Sequence, residues 1–171
     1  MRFEKFFAAN GYHIVALEEY SLCEQAALIH SSKWIASVEG THAHSVVWRT
    51  NVGCGGGQII LRKQSEVIPR QIMLNQLLNI ELTFIDVFEE PYHGFPISHD
   101  RGPFLLRWTP QMENFAREHN MIVPQECRKG YCRDLMIYSL KCVYYRTKHM
   151  VKKIVTDVKK LDSRKFNPSN K

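Results

Sequence analysis

Between Tyr12 and Phe88, short apolar segments of strand character alternate with segments whose apolar residues recur at helical spacing, joined by connections of a few residues. Few folds accommodate that order. Strands separated by helices over short connections pair in parallel through right-handed crossovers, and helices then cover both faces of the sheet. The expected elements are strands at Tyr12 to Leu17, Trp34 to Val38, Gln58 to Leu61 and Leu82 to Phe88. Helices are expected at Arg2 to Ala9, from Ser21, from Thr41 through Trp48, and from Ile68 to Asn79. The result is an α/β lobe with a Rossmann-like parallel sheet.

Local signals support individual elements. Phe3, Phe6 and Phe7 lie at helical spacing, and Gly11 after Asn10 is a stop signal. Ser21 with Glu24 three residues later forms a capping box, and Leu22, Ala26 and Ile29 make an inward stripe. Gly40 breaks the second strand, and Thr41 is placed to cap the following helix. After Phe88 the pattern changes. Residues 91–110 hold four prolines and two glycines and read as a loop or hairpin insertion carrying His93, His99, Asp100 and Arg101. Gln111 to Asn120 reads as a helix. From Asp134 to Leu161 apolar residues recur along a long lysine-studded amphipathic helix, and Asp162 to Lys171 reads as a disordered tail. The chain therefore divides into a lobe at 1–133, a basic helix at 134–161 and a tail at 162–171.

Composition excludes several classes. With 44% apolar and 23% charged residues, 171 residues fit one ordinary domain, and disorder, collagen and coiled coil all fail as classes for the chain as a whole. The longest unbroken apolar runs have four residues, far short of the roughly 20 that a membrane span needs. The N-terminus lacks the apolar core of a signal peptide, so cytoplasmic residence is the expectation. The net charge of +6 is uneven: from Lys141 onward there are ten Lys/Arg against two Asp/Glu, and the rest is nearly neutral. Such a distribution gives no reason to expect a nucleic-acid partner. It leaves two readings of the tail helix, a solvated face or peripheral contact with an anionic membrane surface.

Chemistry in an open parallel sheet sits beyond the carboxyl ends of the strands. The segment Ser37 to His44 occupies that place after the second strand. Backbone N–H groups at the start of the next helix offer an anion site suited to a diphosphate. Gly40 lets backbone approach, Thr41 supplies a hydroxyl, and His42 or His44 can donate to phosphate or sugar. Glu39 is the carboxylate nearest that turn, positioned for a ribose or sugar hydroxyl or for the helix N-terminus itself. A glycine turn with surface histidines is the plain alternative. Gly53 to Gly57 precedes a strand and lacks Lys-Ser/Thr, so it reads as a turn rather than a phosphate loop. No Cys-x-x-Cys occurs among the five cysteines, which read as reduced packing residues, and no metal site is expected.

The ordered set Tyr12 to Val15, Tyr20 to Leu28 with its Glu24-Gln25 pair, and Ser32 to His44 with its Gly40-Thr41 turn resembles the C-terminal part of family-61 glycosyltransferases. Gln58 to Leu61, Gln71 with Asn75, and Phe84 to Asp86 are similar to the family's next strand, helix and strand. The resemblance covers residues 1–90, with a fainter extension to 123. It implies the donor-binding lobe of a GT-B enzyme that moves a sugar from a nucleotide-sugar, usually a UDP-sugar, to a glycan acceptor, without a separate cofactor. On that resemblance Glu39 and His44 carry catalytic roles, and Gly40, Thr41, His42 and Ser45 bind substrate. Two departures stand: many relatives have His where this chain has Glu39 and Asn where it has Ser45. The resemblance also implies partners, because the strand expected before Phe3 and the acceptor lobe before it are not in this sequence. A separate N-terminal lobe or a homodimer is expected to complete it; a non-catalytic interaction module is the alternative.

Overall fold

The computed structural model describes residues 2–49, 56–65, 69–96 and 102–165. Its order is α1 (Arg2–Ala9), α2 (Leu22–Ser31), β1 (Ile35–Val38), a 3-10 segment (Thr41–Trp48), β2 (Gly57–Arg62), α3 (Pro69–Leu77), β3 (Glu81–Asp86), β4 (Phe88–Glu89), β5 (Leu105–Leu106), α4 (Pro110–Glu118) and α5 (Tyr131–Lys165). Two further short 3-10 turns lie at Leu17–Glu19 and Gln125–Arg128. The fold is mixed α/β, built on a three-stranded parallel sheet in the order β1-β2-β3 with flanking helices, a Rossmann-like arrangement.

The central strand explains the layering. β2 is buried from Gly57 to Leu61, as a parallel strand covered on both faces must be. Alternate residues face opposite layers. Ile59 and Leu61 join Ile85 and Val87 against Phe6 and Phe7 of α1 and Met112, Phe115 and Ala116 of α4, the main apolar core. Gln58 and Ile60 face the layer that holds α3 and the 3-10 segment. Phe6 stacks edge-on with Phe7 and Trp108, consolidating the first layer.

α1 is fastened at both ends. Arg2 pairs with Asp134 of α5, and Lys5 reaches Glu126 at 2.5 Å. At the other end Asn10 donates to the Phe6 and Ile122 carbonyls and accepts from the Ile122 amide at 2.7 Å, tying the helix end to the segment after α4. Ser21 and Glu24 form the capping box at the start of α2, with the Ser21 amide 2.8 Å from the Glu24 carboxylate.

Several expectations change. Tyr12 to Leu17 is not a strand: 12–16 is irregular, Ile14 and Val15 are exposed, and Leu17 opens a 3-10 turn. No strand among the described residues lies between that segment and β1 to take its ladder bonds, and extended backbone without a ladder is not a strand. Leu22 is exposed, so α2 buries Ile29 alone of its expected stripe. The last strand splits at Val87, because Phe88–Glu89 leaves the sheet to pair antiparallel with Leu105–Leu106. The insertion is thus a hairpin whose residues 97–101, with His99, Asp100 and Arg101, lie outside the described residues. Helix α5 runs to Lys165, so 162–165 belong to it rather than to a tail.

Four thiols can be assigned. Cys127 and Cys142 are buried, which pushes both thiols up from their usual range, whereas Cys23 and Cys132 are exposed. Titration of the native protein with a thiol reagent at pH 8 is expected to modify Cys23 and Cys132 rapidly, and Cys127 and Cys142 only on unfolding. Peptide mapping that finds Cys127 labelled in the native state would contradict this core.

Candidate functional site

The carboxyl ends of β1 and β2 converge on one turn. The Glu39 amide donates to the Leu61 carbonyl at 2.9 Å, extending the ladder one residue past β1 and burying Glu39 to 4% exposure. Gly40 then adopts φ 154° and ψ −168°, a conformation essentially restricted to glycine. A Cβ added there would meet only the Lys63 ammonium, at 3.8 Å. The glycine is required by backbone conformation and not by crowding. Gly56 is the opposite case: a Cβ there would collide with the Lys33 carbonyl, so this end of the glycine-rich stretch serves close packing. Residues 53–55 lie outside the described residues.

Past Gly40 the chain closes a 3-10 turn, with the Ala43 amide donating to the Gly40 carbonyl at 3.0 Å, and continues in that form to Trp48. Thr41 makes no capping bond, contrary to its expected role; Gly40 holds the N-cap position without a side chain. With three residues per turn, every third residue shares a face. Ala43, Val46 and Arg49 are buried on the inner row. Thr41 and His44 share a second row, and His42 and Ser45 a third. His42 and His44 are therefore about 240° apart around the axis and do not face a common point.

The segment is held from below by buried amides. Gln58 donates from Nε2 to the Ala43 carbonyl at 2.6 Å, Gln71 donates to Gln58 Oε1 at 2.9 Å, and the same Gln71 nitrogen lies 2.7 Å from Asn75 Oδ1. All three are at most 2% exposed. The Ala43 carbonyl can only accept, which fixes the Gln58 amide and in turn makes Gln71 the donor to both neighbours. The chain links β2, α3 and the 3-10 segment in one layer.

Two cations border the turn. Lys63, one residue past β2, lies over the Phe104 ring at 4.6 Å and close to Gly40. Arg62 pairs with Asp86 at 2.7 Å and donates to the Ser65 carbonyl at 2.7 Å, so its charge is engaged at the ends of β2 and β3. The backbone N–H groups of Thr41 and His42 precede the first intrahelical donor, the Ala43 amide, and have no partner within the helix. A glycine turn, two helix-start N–H groups and an ammonium are groups of the kind that bind small anions.

The expected site residues divide. Gly40 and Thr41 share the turn with Lys63, a residue for which the sequence carried no signal. Glu39 lies buried beneath that turn, and His44 is half-buried on its own row with Thr41. His42 and Ser45 instead line a separate cleft of about 650 Å³ between residues 11–18 and the edge of β1 that no described strand pairs, with Phe3, Phe7, Trp34 and Ala36 among its walls. No family model matches the chain, and neither a curated protein nor a solved structure matches it.

Proposed function

We propose that this chain is the donor-binding lobe of a family-61-like glycosyltransferase. The observation that supports this most directly is the Gly40 turn at the end of a parallel strand, opening onto two helix-start N–H groups with the Lys63 ammonium beside it. In this reading the diphosphate of a UDP-sugar rests on the Thr41 and His42 amides, with Lys63 opposing its charge and the Thr41 hydroxyl and His44 imidazole donating to it. His42 and Ser45 contact the nucleoside or sugar along the adjoining cleft. Glu39 sets the turn from beneath.

The reaction in this reading is displacement at the anomeric carbon. The acceptor hydroxyl oxygen bonds to that carbon, the bond to the leaving diphosphate oxygen breaks, and the acceptor proton passes to a base on a partner lobe. Negative charge develops on the diphosphate as the bond breaks, where preorganised N–H groups and an ammonium stabilise it most. Calorimetric titration with UDP is expected to give a sub-millimolar dissociation constant. Absence of heat at millimolar UDP would overturn the reading.

The cleft beside β1 favours a second reading, a non-catalytic interaction module that takes a partner's extended segment along the open sheet edge. Rapid amide exchange at Ala36 and Val38, together with no heat from UDP, is the combination that would select it.

A further inference from the structure

From α5, and independently of the nucleotide site, we infer that this chain self-associates through an α-helical coiled coil formed by the distal part of that helix with a second copy. The first half of α5 packs on the body through Tyr131, Leu135, Tyr138, Cys142 and Tyr145, which meet Phe95 and Leu105 of the hairpin region. From Arg146 to Asp157 every residue is exposed. The helix nonetheless continues to Lys165, 20 residues or about 30 Å beyond that contact. In proteins most helical stability comes from packing of an amphipathic face rather than from propensity.

The spacing of the apolar residues identifies what covers it. Ile137, Leu140, Tyr144, Thr147, Val151 and Ile154 are separated by alternating steps of three and four, the repeat of a coiled-coil seam. Val158 and Leu161 continue the same steps in the sequence. The first set occupies a and d positions, and its five apolar members are between 42% and 65% exposed. The apolar body contacts fall at b and f, on the side of the helix away from the seam, and the one at e, Asp134 with Arg2, precedes the seam. Arg146, Lys152 and Lys153 fall at b and c, also away from the seam. β-Branched Ile137 and Val151 at a, with Leu140 at d, match the preference of two-stranded coils.

A second copy supplies a helix of the same period. A seam over residues 137–161 is about 36 Å long and roughly 14 Å wide, so two helices together cover on the order of 1,000 Å², the lower bound for a specific interface. Val143, Met150 and Val155 flank the seam and widen it further. An anionic membrane is the other surface that an apolar stripe with a lysine-rich back could meet. The seam here is β-branched and carries no Trp or Phe, unlike interfacial helices.

Sedimentation velocity of the full chain between about 1 and 100 µM tests the proposal. The expected species is about 40 kDa, twice the 20.0 kDa chain, populated increasingly with concentration. Because both helices are cationic, added salt is expected to strengthen the dimer by screening their repulsion. Val151→Asp with Ile154→Asp is expected to weaken association at least about 100-fold, since each buries an unpaired charge in the seam. Near-ultraviolet circular dichroism of the tryptophans reports that the body stays folded. If that variant does not fold, Ile154→Ala is expected to weaken association at least about 10-fold. Lys152→Glu with Lys153→Glu, outside the seam, is expected to leave the dimer intact. A chain monomeric throughout the range overturns the proposal, as does a dimer that survives the seam variants. A monomer that binds anionic phosphatidylserine vesicles, and loses them as salt rises, assigns the face to lipid and overturns it equally.

Discussion

Replacing Gln58 with leucine is expected to lower stability by about 2–3 kcal/mol, the sum of a lost buried hydrogen bond and the desolvation of what it leaves behind. Gln58 is fully buried and stands between two partners. It donates to the Ala43 carbonyl at 2.6 Å and accepts from Gln71 at 2.9 Å. Leucine strips that carbonyl of its side-chain donor and leaves one Gln71 N–H in the layer without an acceptor. At 2–4 °C per kcal/mol for a chain of this size, the unfolding midpoint drops by roughly 6 °C. Gln58→Leu, Gln71→Leu and Asn75→Leu combined remove the network's members together and are expected to cost no more than the single change. A single substitution costing under about 1 kcal/mol, read by denaturant melts, would show that the amide chain does not hold the 3-10 segment.

Alanine at Gly40 is expected to act twice. The conformation at φ 154° and ψ −168° costs a side-chain-bearing residue of order 1–3 kcal/mol, although the space around the added methyl is open. Either the strain is retained and the protein is destabilised by that amount, or the peptide rotates and carries the Thr41 and His42 amides off their present aim. Where those amides hold a diphosphate, UDP affinity falls at least about 10-fold, the loss of one or more charge-assisted hydrogen bonds. Lys63→Ala separates the two effects, because its ammonium lies over Phe104 outside the core. It is expected to weaken UDP binding by a similar factor and flatten its salt dependence, with stability within about 0.5 kcal/mol of the parent. Wild-type affinity retained in both variants would remove the anion cradle as the nucleotide site.

What was legible in the chain was what local forces decide. The Ser21-Glu24 box closes within four residues, and Gly11, at φ 81°, ends the α1 segment where a glycine was required. The alternation of apolar patterns gave the parallel sheet because helical crossovers leave few other ways to bury such strands. The glycine turn at Gly40 was recognisable as a break. The buried amides left a fainter trace: Gln71 and Asn75 lie one helical turn apart on α3, and Gln58 directly precedes the apolar run Ile59 to Leu61. Polar residues recurring at core spacing indicate a network before its partners are known.

Other features depended on neighbours that the sequence does not specify. Tyr12 to Leu17 has strand composition, yet strands exist by pairing, and an apolar run carries no record of whether another strand lies beside it. Thr41 has the chemistry of a cap, but the tighter 3-10 turn already closes on the Gly40 carbonyl, and its side chain finds no amide to accept. Lys63 comes beside Gly40 only because β2 ends next to β1. Composition and periodicity determined the layers and the polarity of the turn, because burial and helix geometry act over a few residues. Which groups meet at that turn, and which apolar face of α5 is left uncovered, was decided by the packing of distant segments, because those contacts follow from the three-dimensional path of the chain.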